Sequence, residues 1–179
     1  ERNQGTPLLQ YPTHKFWDKT DECSPFHLSF MAAENWSVPE TDVLKSMGNA
    51  LDNERDAVVA TIINVEGSAY RREGARMLVE EGGDGTGHIS AGCLEDEVYD
   101  ITSQVLTEEK PRTVTYDLMK DEDVWGLNVR CGGIVDILLE PLDQSYRPAI
   151  NAFEAGEKIG LITVIVGDPP MGVKAYYLN

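Results

Sequence analysis

Few of the residues that usually declare a protein's chemistry are plentiful in this chain. It has three cysteines, Cys23, Cys93 and Cys131, in 179 residues and no CxxC pair. That excludes a zinc ribbon and a thioredoxin-type motif. Its three histidines, His14, His27 and His88, are scattered, so no metal site is expected. His88 lies close enough to Cys93 in sequence to suggest a Cys–His nucleophilic pair, but a strand leading into a helix need not turn the two side chains the same way. Basic residues are scarce, 15 against 31 acidic ones for a net charge of −16. This argues against nucleic acid or an anionic membrane as a partner through bulk charge. So acidic a surface would suit a salt-rich cytoplasm, although many ordinary acidic proteins share it. The longest apolar runs, "AVVATIINV" and "LITVIV", fall far short of the roughly 20 residues that span a bilayer, and no signal peptide is visible. There is no P-loop, and "GGDGTG" is not the GxGxxG fingerprint, since it leads into a strand. The expectation is a cytoplasmic protein with free thiols.

What remains is enough to fold. Hydrophobic residues make up 41% of the chain, which suffices for one domain with a real core. Residues 1–36 mix prolines, charges and isolated aromatics without a period and read as an irregular arm, packed through Trp17, Phe26 and Phe30. A helix follows, with Ser37 and Glu40 at capping-box spacing, Thr41 as another cap, and Val43, Leu44, Met47 and Leu51 on its inner face. "DAVVATIINVEGS" is continuous, apolar and β-branched, which predicts a buried central strand. "ARMLVEEGGDGTGHIS" predicts a hairpin, "RTVTYDL" and "GIVDILLEPL" predict strands, "RPAINAFEAGEK" a helix, and "IGLITVIVGDPPMGVKAYYLN" two strands. "KDEDVWGLNVRCGG" reads as a loop. The fold class is α/β: a mixed β-sheet flanked by helices over residues 37–179, with the irregular N-terminal arm ahead of it. "AVVATIINVEGSAYRREGARMLV" and "IGLITVIVGDPPMGVKAYYL" also share one plan: apolar strand, glycine turn, second glycine, strand.

Three stretches could carry chemistry. In "HISAGCLEDEV" the cysteine sits at the start of a helix whose apolar stripe, Leu94, Val98, Ile101 and Val105, recurs at spacings of four, three and four. Cys93 is off that stripe, where unpaired backbone N–H groups and the helix dipole favour a thiolate. In "RCGGIVD" two glycines, Gly132 and Gly133, follow Cys131 and allow close backbone approach by a ligand. "GSAYRREGARM" places Arg71, Arg72 and Arg76 within six positions. Arginine recognises phosphate and carboxylate through a planar fork. Against these stand plain alternatives. A lone cysteine is usually a small buried hydrophobe, and clustered arginines usually pair with surface carboxylates, the preferred reading for Arg72. The glycines of "EGGDGTG" fit a hairpin loop. Asp136 and Glu140 fit a solvated sheet face.

The blocks "VVATIINVEGSAYRREGARMLV", "GHISAGCLEDEV", "VTYDL" and "DVWGLNVRCGGIVDILLEPL" come in an order that resembles the XdhC/CoxI family, from about Val43 to Leu142. "GLITVIVGDPPMGVK" is similar to that family's continuation. The sequence departs from the family at Tyr70, Ala91 and Arg130, where proline, glycine and glycine are common. Many members continue into a Rossmann-like C-terminal domain, which this chain is expected to lack. The resemblance implies a maturation factor for molybdenum hydroxylases such as xanthine dehydrogenase or carbon monoxide dehydrogenase. Its cargo would be the molybdenum cofactor (molybdopterin), whose sulfuration, protection and insertion it would assist. The implied partners are the apo molybdenum hydroxylase and a cysteine desulfurase, with room for a homodimer. The implied binding residues are Cys93 and Cys131 as thiols, Ser90 and Gly92 shaping the turn, Gly132, and Arg71 and Arg76 in the arginine block. Soft thiolates suit a molybdenum–sulfur centre, and arginines with backbone N–H groups suit a phosphate. The alternatives are a thiol-dependent sulfur transferase or redox protein, with Cys93 as acceptor and Cys131 as resolving thiol, and a docking domain without activity of its own.

Overall fold

A computed structural model describes residues 26–31, 38–83, 85–90, 92, 94–118 and 132–178. Cys23, Cys93 and Cys131, the Ser37 cap, Ala91, Arg130, Trp17 and most of the 120–133 loop lie outside them, as do the side chains of Phe26 and Phe30. The elements in chain order are β1 (Phe26–Met31), α1 (Val38–Asp52), β2 (Ala57–Gly67), β3 (Arg76–Glu80), β4 (Gly85–Gly87), α2 (Glu95–Glu108), β5 (Arg112–Asp117), β6 (Gly133–Pro141), α3 (Arg147–Glu154), β7 (Ile159–Val164) and β8 (Lys174–Leu178). The expected helices, hairpin and strands are all here. The strands form two sheets, a five-stranded one ordered β4-β3-β2-β6-β5 and a three-stranded one ordered β1-β7-β8. Every pairing among the described strands is antiparallel.

Strand β2 is central because both its faces are apolar. Val58, Ala60 and Ile62 face one way, into a core shared with Met77, Val79, Leu139 and the α2 stripe of Leu94, Val98 and Val105. Ala57 and Val59 face the other way, into a core with Val43, Leu44 and Met47 of α1, Ile150 of α3, and Ile159 and Leu161 of β7. A strand covered on both faces needs no alternation, hence the unbroken run. Helix α1 begins at Val38, so Thr41 is inside it rather than at its cap; Pro39 fits the first turn, where its missing N–H costs nothing.

Within the arm expected to be mostly irregular one strand is described, β1, which pairs antiparallel with the whole of β7. "FHLSFM" does alternate Phe26, Leu28 and Phe30 with His27 and Ser29, a period of two. Glu140 is not on the solvated face expected of it. It is 3% exposed, accepts from Lys174 Nζ at 2.8 Å and from the Tyr146 hydroxyl at 2.6 Å, and so joins β6 to β8. Lys174 Nζ also donates to the Gly172 carbonyl and lies 4.1 Å from the centre of the Tyr146 ring. Burial first, and the adjacent Glu140 charge second, push the Tyr146 phenol well above its ordinary pKa. It therefore remains a donor.

The internal echo is real at the level of hydrogen bonds. In the β2–β3 hairpin Gly74 N donates to Ile62 O, Ile62 N to Ala75 O and Ala75 N to Arg72 O; in the β7–β8 hairpin Gly172 N donates to Val164 O, Val164 N to Val173 O and Val173 N to Pro170 O. Arg76 and Lys174 hold the same place, one residue beyond each turn, and both are buried. Removing one partner of a buried pair strands the other charge. Glu140→Leu and Lys174→Met should each lose about 3–5 kcal/mol in urea unfolding, and the double variant should lose less than the sum. Additive losses would show that the pair is not coupled.

Candidate functional site

Described residues of the three stretches singled out in the sequence lie toward one end of the five-stranded sheet, where β2 finishes and β6 begins. Gly67 pairs with Gly133, so the glycines after Cys131 lie beside the "GS" that opens the arginine loop. Leu118, just past β5, donates from its N–H to Gly133 O at 2.9 Å. Helix α2 runs back along β5: Arg112 at the start of β5 bonds Gln104 and Glu108 near the helix C-terminus, whereas Tyr116 at its far end lies in the field of Glu97 in the first helical turn. The α2 N-terminus, and with it Ser90, Gly92 and Leu94, therefore stands toward the Gly67–Gly133 end. Strand β4, read from Gly85 to Gly87 opposite Val79 to Met77, also delivers residues 88–90 in that direction.

The turn is organised by a residue that the sequence reading passed over. Glu95, 8% exposed, folds its carboxylate back into the turn. It accepts from Ser90 N at 2.8 Å, Gly92 N at 3.1 Å and Leu94 N at 3.3 Å, and from the Ser90 hydroxyl. Ser90 Oγ in turn accepts from Leu94 N at 3.0 Å and Gly92 N at 3.2 Å. Gly92 has φ +100°, a left-handed backbone that an L side chain resists. The amides of Ser90, Gly92 and Leu94, just ahead of α2 and expected to offer themselves to a phosphate, are thus already served by the protein's own carboxylate. The signal was present, since a Ser…Glu pair flanking a glycine at a helix start resembles a capping box. Its spacing of five residues hid it.

The arginines separate. Arg71 Nη2 donates to Glu40 Oε1 at 2.6 Å, with both side chains largely buried. Arg76 is 5% exposed, donates to the Gly74 carbonyl, and turns its charge toward the interior, where it acts on Glu40, Tyr146 and Tyr176. Arg72 is exposed and makes no ion pair among the described residues, the reverse of its expected pairing. Beside it Tyr70 is 65% exposed. The close approach at Gly133 is filled by the chain itself, because a Cβ there would meet Glu66 O at 2.5 Å and Ser68 O at 2.7 Å. At Gly132 a Cβ meets nothing within 4 Å. Among the described residues no cluster of His, Cys, Asp and Glu is placed to hold a metal, and no described helix is long and apolar enough to cross a membrane. A groove of about 150 Å³ lies at the other end of α2, against Val79, Gly82 and Leu106.

With this geometry in hand, the relatives are informative. Residues 50–117 match the model of the XdhC and CoxI family, and they hold the arginine loop, the Glu95 turn and α2 together. The chain is 37% identical over 98 residues to a probable xanthine dehydrogenase subunit of Bacillus subtilis (strain 168), covering 54% of this chain and 30% of that one. It is 28% identical over 139 residues to the molybdenum cofactor insertion chaperone PaoD of Escherichia coli (strain K12), covering 72% of this chain and 43% of that one. The crystal structure of a xanthine dehydrogenase from Bacillus halodurans superposes with a TM-score of 0.64 at 33% identity, covering 77% of this chain and 43% of that one. The chain thus spans less than half the length of these relatives.

Two outcomes test the site's architecture. Burial works to raise the Glu95 carboxyl, but the Ser90, Glu95 and Leu94 donors outweigh it and hold the group below its ordinary value of 4.5. Its contribution to stability is therefore present above that value and lost as pH falls through the lower, folded one. Glu40 has the opposite sign: burial raises it despite Arg76 and Arg71, so its contribution is present below 4.5 and lost as pH rises through the folded value. Urea midpoints across the acid range should show Glu95→Gln losing about 1–3 kcal/mol at neutral pH and a shallower acid limb. Unchanged midpoints would mean that the turn does not depend on Glu95. Separately, Gly133→Ala should cost about 1–3 kcal/mol through overpacking while Gly132→Ala is silent; equal effects would contradict the backbone crossing.

Proposed function

We propose that this chain binds the molybdenum cofactor at the Gly67–Gly133 end of the five-stranded sheet and serves the maturation of a molybdenum hydroxylase. The observation that carries the reading is that described residues of three sequence blocks, separated along the chain, lie toward that one end. The family match over 50–117 and the similarity to PaoD, named as a molybdenum cofactor insertion chaperone, support the class of cargo. Cys93 and Cys131 flank described residues of this end in sequence and supply soft thiolates for the molybdenum–sulfur part. Ser90 and Gly92 hold the turn. Gly132 leaves open space beside it. For the phosphate we assign Arg71, once it exchanges Glu40 for cargo, together with the exposed Arg72. Arg76, drawn inward, supports the loop rather than the ligand. The client is an apo molybdenum hydroxylase of the xanthine dehydrogenase kind, and the setting is the cytoplasm.

The finer parts of the reading are sulfuration of the cargo with a cysteine desulfurase as donor, and assembly as a homodimer. Anaerobic titration of released molybdenum cofactor into the wild type, Cys93→Ala and Cys131→Ala should show saturable binding that one cysteine variant loses with its fold intact. Arg72→Ala should weaken it by roughly tenfold. No binding by the folded wild type would remove the reading. In the same material, intact mass after incubation with a desulfurase and cysteine reports a persulfide on Cys93, and sedimentation reports the dimer.

A further inference from the structure

One buried polar atom among the described residues has no hydrogen-bond partner, the hydroxyl of Tyr116. The residue is 9% exposed and sits near the end of β5, opposite Val135. Its ring belongs to the apolar cluster of Leu94 and Val98, at the end of the sheet where the candidate site lies. Phenylalanine would fill the same space without the penalty of a buried unmet donor. Burial first and the Glu97 charge second push the phenol up to about 12, so it stays protonated and is a donor at neutral pH. A donor held beside an acidic helix turn, yet bonded to nothing there, suits an acceptor that arrives from outside.

We propose that the Tyr116 hydroxyl donates a hydrogen bond to an acceptor oxygen or nitrogen of the bound cofactor, and that its want of a partner in the free chain is the cost of this contact. This inference rests on the function proposed above and adds a binding residue to it. Tyr116→Phe separates the two. In the 179-residue chain, urea unfolding of the free protein should show the variant as stable as the wild type or more so, since nothing is lost and an unmet donor is removed. Anaerobic titration with released molybdenum cofactor should show affinity reduced roughly three- to tenfold, the worth of one hydrogen bond. Wild-type affinity in Tyr116→Phe overturns this inference alone. A less stable free variant overturns it too, because the hydroxyl would then have a partner within the fold. Failure of the wild type itself to bind overturns both this inference and the function it rests on.

Discussion

Glu140 sets the terms on which the two sheets meet. A carboxylate taken out of water costs several kcal/mol unless a cation and hydrogen-bond donors meet it. Here Lys174 and Tyr146 do so, one from the strand that closes the three-stranded sheet and one from the turn that leads into α3. The demand is directional. Side chains alternate along a strand, so a slip of β8 by one residue would send Lys174 to the opposite face and leave Glu140 alone. Apolar contacts among Leu161, Ile159 and Ile150 favour contact between the sheets but tolerate sliding. The charged cluster does not. Its contribution is therefore better described as fixing register than as adding stability, since a well-packed apolar replacement can match such a pair energetically.

The same cluster marks the limit of what the residues disclose when read along the chain. An unbroken β-branched run identified β2, a glycine-rich turn the β3–β4 hairpin, helical spacing the α2 stripe and apolar runs the strands on either side of α3, because each is a local pattern with a local cause. "DILLEPL" reads as alternation with acids on one side, and nothing nearby says that the acidic side is buried. The information is in Lys174, far along the sequence. Strand β1 escaped for a related reason. Its six residues alternate, but its partner β7 comes near the other end of the chain, and a short alternation among prolines and charges carries little weight without that partner.

At the candidate site, residue types and spacing pick out stretches that come together in the fold, but they do not disclose what occupies them. A glycine says that something comes close; it does not say what. Gly133 is approached by the backbone of Glu66 and Ser68, while Gly132, next to it, is open. Amides at a helix start say that an acceptor is wanted, and Glu95 from the same turn already supplies one. A turn locked by its own carboxylate holds its shape before any ligand arrives, so less ordering is required on binding.

The duplicated hairpin explains why three clustered arginines have three different fates. Both copies place a cation one residue past the turn, Arg76 in one and Lys174 in the other, and both cations point into the shared interior. That position belongs to the frame: Lys174 answers to Glu140, Arg76 acts on Glu40, and both stand by Tyr146. The segments between the glycines are not bound by the frame. "SAYRRE" carries an exposed tyrosine and two arginines, whereas "DPPM" in the other copy carries an acid and two prolines. If function followed the frame, the two loops would be chemically alike. They differ, and the cationic one opens at Gly67, beside Gly133, so the chemistry is to be sought in what that loop adds to a common scaffold.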